Sequence, residues 1–163
     1  MSTRHTILAS PIGDLTVVRD DDGLTGLYFP HHWTRPDRTA FGPPVTAGFD
    51  DVATQLAEYL AGDRRTFDLP LHADGDSLQR QVWALLAAIP YGSTVTYGHL
   101  ARTLGCSAQE VGAAVGSNPL SILVPCHRVV GSTGKLTGYA GGLDRKRHLL
   151  DLESGQQVLG AVS

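Results

Sequence analysis

Apolar and polar positions change rhythm about halfway along the chain. Early on, β-prone runs are short: residues 6–9, Leu15–Arg19 and residues 24–29. Ser10-Pro11-Ile12-Gly13 and Asp20-Asp21-Asp22-Gly23 separate them as turns, so three strands are expected. Residues 30–48 are rich in Pro, Gly and His and read as loop. Phe49, Val52, Leu56, Tyr59 and Leu60 then recur at helical spacing, with Gly62 placed as a stop. Residues 67–71 read as one more strand, and residues 72–76 as a linker.

The second half reads as helices. Asp76-Ser77-Leu78-Gln79 has the form of a capping box opening a helix over 78–89, and Pro90-Tyr91-Gly92 ends it. Tyr97–Leu104 is a short helix closed by Gly105, and Ser107 caps a second, Ala108–Gly116. Asn118-Pro119 stops that helix, because the residue before proline is pushed out of the α region. Two short helices across a glycine-containing turn form a helix-turn-helix candidate. A glycine-rich loop, 131–142, leads to a last helix, Leu143–Glu153, and residues 156–163 read as a frayed tail. The expected fold class is α+β. A small strand-rich domain (1–72) precedes a helical domain (76–155) with a winged-helix-like helix-turn-helix.

The composition narrows the function classes. With 163 residues, 42% apolar and 18% charged, the chain is globular. No apolar run approaches the ~20 residues of a bilayer span, and the first residues lack a signal-peptide core. A cytoplasmic protein without a membrane partner is expected. Two cysteines, Cys106 and Cys126, are too few for a disulfide framework. His31-His32-Trp33 has no third ligand near it, so no metal is expected. Net charge is −3, divided unevenly: 6 Lys/Arg against 11 Asp/Glu in 1–75, but 7 against 5 in 76–163. The basic half permits a polyanionic partner.

That half also holds the chemistry. In Val124-Pro125-Cys126-His127-Arg128-Val129-Val130 a polar cluster sits inside an apolar run. Burying such a cluster is unfavourable unless it is well paired or functional, and the thiolate is the group suited to attack carbon. Cys126 is the candidate nucleophile. Adjacent residues on a regular strand face opposite ways, so contact with His127 requires either that Pro125 bends the chain or that a water relays the proton. Taken singly, the other candidates have ordinary readings. Asn118 is a turn residue, Glu153 a helix-surface carboxylate, Tyr97 a packing ring and Gly138-Tyr139-Ala140-Gly141-Gly142 a flexible loop. Cys106 has no assigned role.

Together these pieces resemble the O6-alkylguanine-DNA alkyltransferases. The matching residues are Tyr97, Asn118-Pro119, Pro125 to Val130, Gly134, Gly138-Tyr139, Gly141-Gly142-Leu143, Lys146, Leu149-Leu150 and Glu153. They span about 77–153, with unbroken spacing from Asn118 to Glu153. Residues 1–71 fit the family's variable N-terminal domain only in size and strand content, and the zinc ligands of some members are absent. The resemblance implies direct repair of double-stranded DNA carrying alkylated guanine. The helix Ala108–Gly116 would lie in the minor groove and the damaged base would flip into a pocket. Cys126, held as thiolate by its imidazole neighbour, would then take the alkyl group from O6 irreversibly, once per molecule, with no cofactor. The resemblance would extend the reaction to O4-alkylthymine as a secondary substrate.

The resemblance also distributes roles. His127 takes the thiol proton through a water, Glu153 orients His127, and Tyr97 hydrogen-bonds the leaving base at N3. Asn118 holds the hinge turn. Backbone at Cys126, Val129, Tyr139, Ala140 and Gly141 contacts the base. Ala108, Gln109, Gly112, Ala113 and Arg128 form the DNA-contacting set, although Arg128 also reads as structural. The chain departs from the family pattern at Gln109, where an arginine usually fills the gap left by the flipped base, at Glu110 and at Ala140. The helix 108–116 carries no Lys or Arg, but its small residues suit a close fit to the groove. A monomer is expected. The alternative is a damage sensor that binds alkylated DNA without repairing it and recruits other repair.

Overall fold

The computed structural model describes residues 2–32 and 36–155. Trp33 and the tail at 156–163 lie outside that set. Three antiparallel strands, β1 (Arg4–Leu8), β2 (Leu15–Arg19) and β3 (Leu24–Tyr28), form a sheet in sequence order. Both expected turns join them. Gly13 (φ 109°) closes the first by donating its N–H to the Ser10 carbonyl at 3.1 Å. In the second, the Asp20 carboxylate accepts the N–H groups of Asp22 and Gly23 at 2.8 and 3.0 Å. The same carboxylate pairs with His72 Nδ1 at 2.8 Å and so ties down the chain that leaves this half.

Residues 67–71 do not form the expected strand. Only Leu71 bridges Leu24, through Leu24 N–H to the Pro70 carbonyl and His72 N–H to the Leu24 carbonyl. Pro70 has no N–H to extend the ladder. Helix α1 (Asp50–Leu60) packs Val52, Leu56 and Tyr59 inward, as its apolar spacing demands.

Helix α2 (Ser77–Ala87) opens with the expected capping box between Asp76 and Gln79. A two-residue strand, β4 (Val95–Thr96), then leads directly into α3 (Tyr97–Leu104), whose first turn Thr96 caps. Gly105, in the left-handed region at φ 68°, ends α3, and Ser107 and Glu110 cap α4 (Ala108–Gly116) reciprocally. β5 (Val129–Val130) pairs in parallel with β4, and α5 (Leu143–Glu153) closes the fold. No helix among the described residues is long and apolar enough to cross a membrane.

The two halves share one core. Ile12, Leu15, Val17 and Leu27 from the sheet, Tyr59 from α1, and Val82, Val111, Leu120 and Leu149 from the helical half belong to one buried cluster. The free edge of β3 is covered by the other half, where Leu27 N–H donates to the Pro119 carbonyl at 2.8 Å. Arg145 of α5 donates to the Ile12 carbonyl at 2.7 Å and lies over the Phe29 ring. These contacts fix the position of the segment between α4 and β5.

Candidate active site

That segment is bent, not extended. Asn118 ends α4 and is buried. Its amide donates to the Val124 carbonyl at 2.9 Å, while its carbonyl oxygen accepts Leu120 N–H at 3.0 Å. The loop so clamped holds Ile122 at φ 71°, a conformation that β-branched residues rarely adopt and that costs ~1–3 kcal/mol. Pro125 (φ −80°, ψ 67°) then turns the chain into a single 3-10 turn, Cys126–Arg128, closed by Val129 N–H on the Cys126 carbonyl. The bend separates the neighbouring side chains: Cys126 faces a cavity, while His127 is fully buried.

Behind the cysteine lies a buried polar network. His127 Nε2 meets Glu153 Oε2 at 2.8 Å. Arg128 grips the same carboxylate with both arms, Nε on Oε1 and Nη2 on Oε2, each at 2.8 Å, and Nη1 donates to the Ile89 carbonyl at 2.6 Å. Tyr59, from α1, donates its hydroxyl to Oε2 at 2.5 Å. Burial alone would raise the Glu153 pKa, but the bonds from His127, Arg128 and Tyr59 win and hold it at about 2. Glu153 is therefore a carboxylate that can only accept. The proton of neutral His127 consequently sits on Nε2, and its lone pair on Nδ1, which has no hydrogen-bond partner among the described residues. Burial pushes the His127 pKa down, against the opposing pull of Glu153, so the ring is neutral and able to take a proton.

In front of the cysteine is a cavity of about 450 Å³, within the size range of small-molecule sites. Cys126, Asn118 and Ser121 line it from the clamped loop, Tyr97 from α3, and Ala108, Gln109 and Gly112 from α4. Thr137 to Ala140 line it from the glycine-rich loop. Burial pushes the Cys126 thiol up, against the Asn118 side chain and the Lys146 charge, which favour the thiolate. Burial thus favours the thiol form over a standing thiolate. Lys146 is fully buried, donates to the Thr137 carbonyl at 2.9 Å and lies 5.9 Å from the centre of the Tyr97 ring. Burial lowers its pKa to about 8. Lys146 and Glu153 are seven residues apart on α5, which puts both on the face toward the site.

This geometry agrees with what the chain resembles in the known proteins. A family model described as "6-O-methylguanine DNA methyltransferase, DNA binding domain" matches residues 77–155. A second, "6-O-methylguanine DNA methyltransferase, ribonuclease-like domain", matches residues 3–73. The chain belongs to this methyltransferase family. A methylated-DNA–protein-cysteine methyltransferase of Mycolicibacterium paratuberculosis is 47% identical over 146 residues, 88% of each chain. One of Methanosarcina acetivorans is 39% identical over 160 residues, covering 91% of this chain and 97% of the relative. The crystal structure of the Mycobacterium tuberculosis O6-methylguanine methyltransferase superposes with a TM-score of 0.86 at 42% identity, covering 96% of this chain and 95% of that one. The structure of the M. tuberculosis protein in complex with DNA superposes equally well, with 93% of each chain covered.

In this methyltransferase the candidate residues divide into three groups. Cys126, Tyr97, Asn118, Tyr139, Ala140, Gln109, Ala108 and Gly112 surround the one cavity. His127 and Glu153 meet behind it. The others stand apart. Ala113 is exposed on α4, Val129 is buried in the β4–β5 pair, and Gly141 packs where a Cβ would come within 2.3 Å of the Phe29 ring. The placement of Arg128 among the DNA-contacting residues does not hold. Its guanidinium is buried on Glu153 and Ile89, which agrees with the structural reading. Two ionisable residues of the site carried no assigned role in the sequence. Tyr59 reads there only as an apolar position of α1, and its bond to Glu153 spans 94 residues. Lys146 figured only as a matching position, with nothing local to mark its burial.

Proposed function

We propose that the protein repairs DNA directly by moving the alkyl group of O6-alkylguanine onto Cys126, as a methylated-DNA–protein-cysteine methyltransferase that acts once. The observation that carries this reading is a cysteine at the wall of a base-sized cavity beside α4, with a neutral imidazole and a fixed carboxylate behind it. The α3–α4 pair docks on DNA, with Gln109, Ala108, Gly112 and Ala113 toward the minor groove. The alkylated base rotates into the cavity, because its O6 substituent is out of reach within the stack. Backbone at Cys126, Tyr139 and Ala140 receives it.

His127 takes the thiol proton at Nδ1 through a water, and Glu153 stabilises the imidazolium that forms. Sulfur attacks the alkyl carbon in line, so the S–C bond forms as the C–O6 bond breaks. Tyr97 hydrogen-bonds N3 of the departing guanine, which takes back the proton held on His127 and leaves unmodified. The thioether is stable, so the protein is consumed. Ionisation of the thiol is tied to the reaction, because burial disfavours a standing thiolate. The protein acts as a cytoplasmic monomer and needs no cofactor, because the thiol is the acceptor.

Intact-mass spectrometry tests the reading. After incubation with O6-benzylguanine, or with duplex oligonucleotide carrying O6-methylguanine, the protein should gain one benzyl or one methyl group. Cys126→Ala should gain neither. Binding to the methylated duplex without any mass gain would instead establish the damage-sensor alternative.

A further inference from the structure

Glu153 receives more donors than the orientation of one imidazole requires. Oε2 takes three hydrogen bonds, from His127, Arg128 and Tyr59, whereas Oε1 takes one, from Arg128. Arg128 and His127 belong to the turn that carries the nucleophile, but Tyr59 comes from α1, in the other half of the chain. Its ring is fully buried, tilted against Phe67 at 5.2 Å and edge-on to Tyr91 at 6.2 Å, so the hydroxyl is aimed by packing. Donors that converge on one carboxylate oxygen share its charge. What Tyr59 draws is withheld from the His127 N–H on the same atom.

We propose that Tyr59 is a positioning residue of the alkyl transfer, through which the N-terminal half sets how firmly His127 holds the proton it takes from Cys126. The inference rests on the transfer reading above. Tyr59 does not itself ionise, since burial and the Glu153 charge push its phenol far above the usual range. With Arg128, it keeps Glu153 a carboxylate throughout, so the thiol proton stops on His127 and remains available to the departing guanine. Among the described residues, the other ionisable groups facing this network are Lys146 on α5, Tyr91 ahead of β4, Arg65 over the Tyr91 ring, and Tyr139 of the glycine-rich loop. None of them offers a second hydroxyl to Oε2.

The test is the pH dependence of Cys126 modification, read with O6-benzylguanine and with iodoacetamide in the full-length protein. In Tyr59→Phe the Glu153 charge acts undiluted on His127, and the acid limb of both profiles should move up by about half a pH unit or more. Replacing Tyr59 with 3,5-difluorotyrosine strengthens the donated bond and should move the limb down. Both effects should vanish in a Glu153→Gln background. A Tyr59→Phe protein that melts earlier but whose profile superposes on wild type would make Tyr59 merely structural and overturn the proposal, as would an unchanged shift without Glu153. If Tyr59→Phe does not fold, the difluorotyrosine profile decides alone, and an unmoved limb refutes. Failure of the wild-type protein to react with O6-benzylguanine at any pH would instead sink the transfer reading, while the iodoacetamide profiles still judge Tyr59.

Discussion

Replacing Glu153 with glutamine puts the buried network to its most direct test. The change preserves shape, but it removes the charge that Arg128 grips and turns one acceptor into an NH₂ group facing donors. Two routes give its magnitude. The Glu153 pKa falls from 4.5 to about 2 on folding, and at ~1.4 kcal/mol per tenfold change in acidity this contributes about 3 kcal/mol of stability at neutral pH. Removing one partner of a buried ion pair typically costs ~3–5 kcal/mol. The side chain is only 1% exposed, so solvent screening does not erode the figure. Glu153→Gln should therefore lose about 3–5 kcal/mol at pH 7, and its melting temperature should fall by on the order of 10 °C.

The sign with pH follows from a depressed carboxyl. The stabilisation is complete above about pH 4.5 and is lost as pH falls toward about 2. Denaturant unfolding at pH 7 and at steps down to pH 2.5 should show the gap between wild type and Glu153→Gln closing. Adding Arg128→Met should restore part of the loss, because an apolar pair is tolerated better than an orphaned cation. A gap below ~1 kcal/mol at pH 7, or one that does not change with pH, would refute the account of the network.

Three further outcomes are expected. Gln109→Arg should tighten binding to duplex DNA and steepen its salt dependence by about one phosphate contact, as measured by titration at several salt concentrations; an unchanged slope would remove residue 109 from the DNA face. Gly141→Ala should destabilise the protein by ~1–3 kcal/mol and slow O6-benzylguanine labelling, because the new Cβ would meet the Phe29 ring at 2.3 Å and the Tyr139 ring at 2.9 Å. Lys146→Met removes a charge that favours the Cys126 thiolate, so iodoacetamide modification of Cys126, followed by peptide mass, should shift to higher pH; a shift to lower pH would contradict the proximity of the two groups.

The sequence by itself determined whatever depends on a few neighbouring residues. The bounds of α3 and α4 could be read because Gly105, Ser107 and Asn118-Pro119 start and stop helices through bonds that span at most one turn. Cys126 stood out because a polar cluster interrupted an apolar run. Tertiary structure decided everything that needs a distant partner. β4 and β5 are two residues each, too short for any periodicity, and exist because they pair with each other. Residues 67–71 have strand composition, but the sheet offered them one bridge and Pro70 could donate no more. The side chain of Arg128 turned inward, away from solvent, because Glu153 and the Ile89 carbonyl were there to receive it. Burial, too, is a property of the packed whole. It alone makes the Cys126 thiol reluctant to ionise, lowers the Lys146 pKa and gives a tyrosine on α1 a hydrogen bond to a glutamate 94 residues away.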